Sequence, residues 1–425
     1  MNNKLLLKIL LAPMFLLSFG TIQLINQNGA QDQFSQFTNE NIFPVDIFKL
    51  WLALMAIFII LYKIIFFRNT LKIPKIIIVY FSYLYFISLK SELPYQSIIQ
   101  TSAIVLAYIG IALQVNYLKY KNTTKYLNKI FLAFIFLSYT CIIFIPSYGI
   151  SIGEHLNKWQ GITTHKNTLG NISLFILFFY LWIFKFKTFP AKIITTFSVL
   201  ILIIGSQSST AIILAILIIV TNIFSSKSSF SDFLIKRTTY IIIGVLIIST
   251  STAIISTYYQ DLLSLSNNLV DTSFTGRINI WLYYINSINE NPFFGVGLNQ
   301  VMSDKTSFNS NMTDLIGYFS GSAHNGFLES IFTTGFIGFI LSILYIKSIY
   351  HKNNSTKNKL IFLIFVLLYI MVNTFESYSI NFNLYTFILF YIERLSIIPS
   401  TLHNTSATRK FEPTILQQNN FAHRY

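Results

Sequence analysis

About twelve stretches of this chain are each long and apolar enough to cross a lipid bilayer, and that leaves the backbone few choices. A span needs about 20 mostly apolar residues. The stretches are 5–25, 45–67, 73–89, 95–115, 130–149, 167–186, 193–207, 208–224, 238–257, 326–348, 360–377 and 379–398. Hydrocarbon offers no water to bond a free amide, so each stretch must be a helix. Barrel strands would alternate polar and apolar residues over about ten positions, and no stretch does so. The expected fold is all-α: a polytopic membrane domain over 1–398 and a polar tail over 399–425. The short pair 193–207 and 208–224 reads as a tight hairpin or as one broken helix. Lys4 and Lys8 before an apolar run resemble a signal peptide, but Asn28-Gly29-Ala30 is a poor cleavage site, so the reading is an uncleaved first span. Cys141 is the single cysteine and permits no internal disulfide.

Charge gives the orientation. With the N-terminus in the cytoplasm and the spans alternating, 24 of the 30 basic residues fall on the inside. That is the positive-inside rule. The outer side then carries 6 basic and 12 acidic residues. The net charge of +15 reports topology and not a nucleic-acid footprint. The expectation is a multi-pass membrane protein with both termini cytoplasmic.

On this orientation the longest polar loop, 258–325, is external. Ile278, Trp281, Leu282, Ile285 and Ile288 recur at helical spacing within it, which predicts an amphipathic helix on the membrane surface or on the bundle. Asn291-Pro292 ends that helix and Gly295-Val296-Gly297 turns the chain. Residues 303–322 read as a polar, mobile stretch. Arg277 is the only external arginine, where the chain otherwise uses lysine. A guanidinium grips phosphate with two parallel bonds; an ammonium is a point charge. The alternative role for Arg277 is an anchor for the loop through an acid such as Asp271.

Three polar clusters lie at the outer starts of inward-running spans: His165-Lys166-Asn167-Thr168, Ser206-Gln207-Ser208-Ser209-Thr210, and His324-Asn325-Gly326. Helix N-termini carry unpaired N–H groups and partial positive charge, and so attract anions. If the three meet Arg277, they form a cradle for pyrophosphate. Plainer readings stand beside this one. Ser208, Ser209 and Asn325 are ordinary cap residues, Lys166 is placed to snorkel, and a lone interfacial histidine such as His165 or His324 is often structural. Glu329 and Glu376 sit in or at the ends of spans, where a carboxylate is costly and often functional. Packing against a span-end hydroxyl is the alternative. No P-loop, dinucleotide fingerprint, Cys/His metal spacing or Asp-x-Asp pair is present. Any enzyme here is expected to work without metal or cofactor.

These residues carry a resemblance. The segment Lys158-Trp159-Gln160-Gly161-Ile162-Thr163-Thr164-His165-Lys166-Asn167-Thr168-Leu169-Gly170 resembles one that precedes a span in the O-antigen ligase and polymerase superfamily. Gly276-Arg277 with Trp281, followed by Asn291-Pro292-Phe293-Phe294-Gly295-Val296-Gly297-Leu298, is similar to that family's large periplasmic loop. Ala323-His324-Asn325-Gly326-Phe327-Leu328-Glu329, followed by Gly335-Phe336-Ile337-Gly338, resembles its catalytic-histidine segment. The three lie in family order within 158–338.

The resemblance implies a periplasmic, metal-independent glycosyltransferase. Its donor is a glycan on undecaprenyl pyrophosphate within the membrane lipid, and its acceptor is another glycan or lipid A core. Carried over, Arg277 holds the pyrophosphate and His324 engages the acceptor hydroxyl. The family often has an arginine after a serine in the second cluster, where this chain has Ser209 after Ser208. Lys166 or the N–H groups at that helix start are candidates for the missing second arm. The chemistry fits these roles: a leaving pyrophosphate needs its charge stabilised, and an attacking hydroxyl must give up a proton, which a neutral histidine accepts. The family contains polymerases of repeat units and ligases, and the Trp159–Gly170 segment leans toward exopolysaccharide polymerases. A transporter or flippase for the same lipid-linked sugars is the alternative from another class; it would show internal repeats, midplane charges and broken helices.

Overall fold

The computed structural model describes residues 73–151, 157–163, 165–225, 228–237, 272–298, 306–316, 322–353, 356–378 and 383–397, with a few further isolated positions. The expected first span, most of 45–67 and of 238–257, and the tail 399–425 lie outside the described residues. The described chain is mostly helical and holds no strand, only an isolated bridge between Ile150 and Trp159.

The helices are α1 (Lys75–Lys90), α2 (Pro94–Phe144), α3 (Lys166–Phe178, continued by a π-helical turn over Phe179–Ile183), α4 (Phe189–Ser206), α5 (Ser209–Phe224), α6 (Ser228–Lys236), α7 (Thr272–Glu290), α8 (Ser307–Ile316), α9 (Gly326–Lys352), α10 (Thr356–Phe375) and α11 (Leu384–Ile397). Five described stretches are long and apolar enough to cross a membrane: Pro94–Asn116, Asn122–Phe144, Lys166–Ile183, Phe189–Ser206 and Gly326–Lys352. Ser209–Phe224 and Asn358–Thr374 are shorter apolar helices. The uncertain pair resolves into α4 and α5, joined through Gln207 in the left-handed conformation (φ 51°), and both pack on α3.

The centre of the bundle is α3, α10 and α11. Phe175 meets Phe365 and Tyr385 edge-on, and Phe178 also lies against Phe365. The outer faces of α4 and α5 leave Phe189, Ile194, Phe197, Ile204, Ile213 and Ile223 exposed. An apolar surface of that kind suits lipid contact, not water. Glu393 and Arg394, near the end of α11, are buried. Tyr345 and Tyr108 donate to Glu393, at 2.6 and 3.2 Å, and Arg394 donates to the Tyr108 hydroxyl. Charges survive in such surroundings only when paired in this way.

α7 and α8 form a second, smaller cluster against α9. Ile280, Trp281, Tyr284 and Ile288 of α7 pack with Phe308 and Met312 of α8 and Phe332 of α9. Two expectations change here. The amphipathic helix exists, but it begins at Thr272 and so includes Arg277. Its buried stripe is 280/281/284/288, while Leu282 and Ile285, expected on the packed face, are exposed. The stretch expected to be mobile contains α8, because Phe308 and Met312 give it a buried face. Glu92 also accepts from the Ser307 N–H at 3.0 Å and from its hydroxyl at 3.1 Å, capping the helix start.

α9 is interrupted at Gly335 (φ 65°, ψ 178°). A break inside an apolar helix frees backbone groups that must find partners. The loop after α7 supplies them. Phe336 and Ile337 N–H donate to Pro292 and Phe293 O at 2.8 and 3.2 Å, and Val296 and Gly297 N–H donate to Phe332 and Thr333 O at 3.0 and 2.8 Å. Tyr83 of α1 donates to Thr334 O at 2.7 Å. The Asn291–Leu298 motif therefore plugs a broken helix. A Cβ at Gly335 would lie 2.2 Å from Phe293 O, in backbone space that only glycine enters without strain. Gly335→Ala should cost about 1–3 kcal/mol in backbone strain, read as a fall in thermal midpoint of the detergent-solubilised protein. Gly244→Ala is the control, because a Cβ there meets nothing within 4 Å.

Candidate functional site

His165 caps α3 with its own ring: Nδ1 accepts from Asn167 N–H at 3.2 Å. An accepting Nδ1 places the proton of the neutral ring on Nε2. The segment before it is fastened from behind. Trp159 N–H donates to Gly205 O at 2.9 Å, and the Trp159 ring lies where any Cβ at Gly205 would be, 2.1 Å away. One turn into α3, Gly170 lets the start of α5 approach: a Cβ there would sit 2.8 Å from Ser208 Cβ. Ser208 is buried at that contact, and Ser209 is exposed on the first turn of α5.

The histidine segment is held just as closely. Ala323 is clamped on both sides, its N–H donating to Glu329 at 3.2 Å and its C=O accepting from Trp281 Nε1 at 2.9 Å. The next residue, His324, takes a left-handed conformation (φ 47°), which turns the chain into α9. Asn325 is then the cap, its Oδ1 accepting from Phe327 and Leu328 N–H at 3.0 and 3.1 Å. That carbonyl is committed to the helix; the NH2 group is what Asn325 has left to offer a substrate. Glu329 thus has a partner in the chain, and its part is to hold the turn before His324.

The two helix starts meet at Glu376, the residue after α10. Its backbone carbonyl accepts from Gly326 N–H at 3.1 Å. Its Oε1 accepts from Asn167 Nδ2 at 2.9 Å, and its Oε2 lies 3.9 Å from His324 Nδ1. That is an ion-pair separation, beyond direct hydrogen-bond reach. Arg277 and His165 lie within electrostatic reach of the same carboxylate. Lys166 is within reach of Glu376, Arg277 and Lys158. Burial alone would push the Glu376 carboxyl up; His324, Arg277 and His165 outweigh it and hold it below the usual carboxylate range.

Of the residues singled out from sequence, His165, Lys166, Arg277 and His324 come together here. Ser208 supports the α3 start from α5, and Asn325 caps α9. Two members of the cluster were not assigned a role in the cradle. Glu376 was visible only as a costly carboxylate at a span end, and Lys158 only as the first residue of a motif. With Lys158 beside Lys166, one arginine and two lysines gather near one carboxylate. Such a site favours an anion carrying more than one charge. Among the described residues no group of three or more His, Cys, Asp and Glu is placed to hold a metal.

Residues 194–343 match the model of a family described as O-antigen ligase. That match, over about a third of the chain, supports a place in the O-antigen ligase and polymerase superfamily. No curated protein matches it significantly in sequence. The match supports in general a ligase- or polymerase-type function, glycosyltransferase-like, with lipid-linked glycan and an acceptor as the substrate classes. The matched stretch contains Ser208, Ser209, Arg277, His324 and Asn325; Lys158, His165, Lys166 and Glu376 lie outside it. The matched stretch therefore supplies the arginine and one histidine, and segments on either side of it supply the lysines, the second histidine and the carboxylate.

Glu376 is placed to orient His324. Glu376→Gln should lower kcat about tenfold with little change in KM, since one charge-assisted contact is worth about 1.5 kcal/mol. The sign with pH follows from the lowered carboxyl. Its stabilising contribution is complete above the unfolded value of about 4.3 and is lost as pH falls through the folded value. Thermal unfolding measured from pH 7 down to about 3 should show the wild type losing more stability than Glu376→Gln.

Proposed function

We propose that this protein transfers a glycan from undecaprenyl pyrophosphate to a sugar hydroxyl at the periplasmic face of a bacterial inner membrane, polymerising repeat units of O-antigen, capsule or exopolysaccharide. The observation that supports this most is the meeting of Arg277, Lys166, Lys158 and two helix starts beside His324 and Glu376. The acceptor oxygen attacks the anomeric carbon as its bond to the pyrophosphate breaks. Undecaprenyl pyrophosphate leaves with the bonding electron pair, and Arg277 with the two lysines stabilises its charge. Lys158 or Lys166 serves as the second arm where Ser209 stands in place of arginine. The acceptor proton passes to His324. Glu376 beside Nδ1 favours a proton on that nitrogen and leaves Nε2 as the base.

Two features that suit a transporter are explained otherwise. The break in α9 has its backbone groups taken by Pro292–Gly297 and Tyr83, so it leaves no opened ion or substrate site. The buried Glu393 and Arg394 are bonded to tyrosines.

The test uses purified protein in nanodiscs, lipid-linked donor and a chelator. Chain growth in chelator is expected. Transfer only to lipid A core would make the protein a ligase. Translocation of intact donor without transfer would make it a transporter. Loss of activity in chelator would end the metal-independent mechanism.

A further inference from the structure

The other face of α7 borders a cleft of about 900 Å³, closed by the end of α1, the Asn291–Val296 loop and α8. That volume suits a bound oligosaccharide and not a single small ion. Its rim carries three carboxamides, Asn286, Asn291 and Asn311, and its walls include the rings of Tyr283, Phe294 and Phe308. Carboxamides donate and accept at once, which matches sugar hydroxyl and acetamido groups. Aromatic faces offer the apolar surface on which a pyranose ring lies. The charges present do not select an anion. Lys90 is engaged over the rings of Phe86 and Phe294, at 4.7 and 4.8 Å. Glu92 caps α8, and Glu290 adds a second carboxylate.

The cleft and the cationic cluster share one rigid element. Asn286 follows Arg277 by nine residues on α7, about 13 Å along the helix axis. We propose that this cleft binds a neutral glycan segment several sugars removed from the bond being made. The inference rests on the glycosyl-transfer reading above and names the substrate subsite that reading lacks. A chain held there stays with the enzyme while its reacting end is positioned between Arg277 and His324.

The triple variant Asn286→Ala/Asn291→Ala/Asn311→Ala tests it, in the full-length protein in nanodiscs. All three side chains are exposed, so the fold should be retained. One arm varies the donor from one sugar to several repeat units with a fixed acceptor; the other varies the acceptor with a fixed donor. Three lost hydrogen bonds predict a KM raised about tenfold or more, with kcat unchanged, for long substrates only. The arm showing the effect identifies which glycan occupies the cleft. Equal behaviour of variant and wild type, or equal loss with short and long substrates, overturns the proposal. Binding of the neutral oligosaccharide released by mild acid from the host's own surface glycan is measured in parallel. Wild type that binds it more tightly than the variant yet transfers nothing keeps the cleft and refutes the transferase reading. Wild type that fails to bind it refutes the cleft.

Discussion

His324→Ala is expected to lower transfer by about 10²- to 10⁴-fold, the usual contribution of a positioned general base, while donor binding changes little. The expectation rests on how firmly the residue is placed. Trp281 and Glu329 clamp the peptide before it, Asn325 caps the helix after it, and Glu376 lies 3.9 Å from its Nδ1. The fixed contacts are all made by neighbours, so the imidazole can be removed without dismantling the turn. The left-handed backbone (φ 47°) places some strain on alanine. His324→Asn is therefore the companion variant, since asparagine enters that region more readily. Both should bind lipid-linked donor and fail at turnover. Normal turnover by either would remove His324 from proton transfer.

Arg277→Lys should lose about ten- to a hundredfold in kcat/KM, because a charge-assisted bond is worth about 1.5–3 kcal/mol and an ammonium cannot reproduce a two-bond grip on pyrophosphate. The protein should remain inserted and folded, since α7 is held by Ile280, Trp281, Tyr284 and Ile288. The pairing with Glu376 adds a check. In Glu376→Gln the electrostatic partner of Arg277 is gone, so the two substitutions should be non-additive in a double-mutant cycle. Full activity in Arg277→Ala would exclude the leaving-group role, and strict additivity would deny the coupling.

Much of this was legible in the sequence. Apolar stretches of bilayer length fixed a helical membrane protein, because hydrocarbon leaves the backbone no other partner. Clusters at helix starts marked His165, Lys166 and His324, because polar residues must cap such ends. The rarity of arginine on one side marked Arg277. Local spacing also predicted α7, though not its packed face: hydrophobic periodicity identifies a helix, but Leu282 and Ile285 are as apolar as Ile280 and Ile288, and only the neighbours choose between them.

The tertiary structure decided the rest. Gly295 and Gly297 signalled a turn, but that the Pro292–Gly297 loop completes an α9 broken at Gly335 depends on backbone partners some forty residues apart. Glu376 read as a costly carboxylate at the end of a helix. Its place between the α3 and α9 starts, with Asn167 on one oxygen and His324 near the other, comes from packing α10 against both. Sequence determined that this is a helical membrane protein and which helix ends carry polar groups, because those features are set by local solvation. Which ends meet is set by side-chain packing and by the demand that every buried backbone group be paired, and those are properties of the whole bundle.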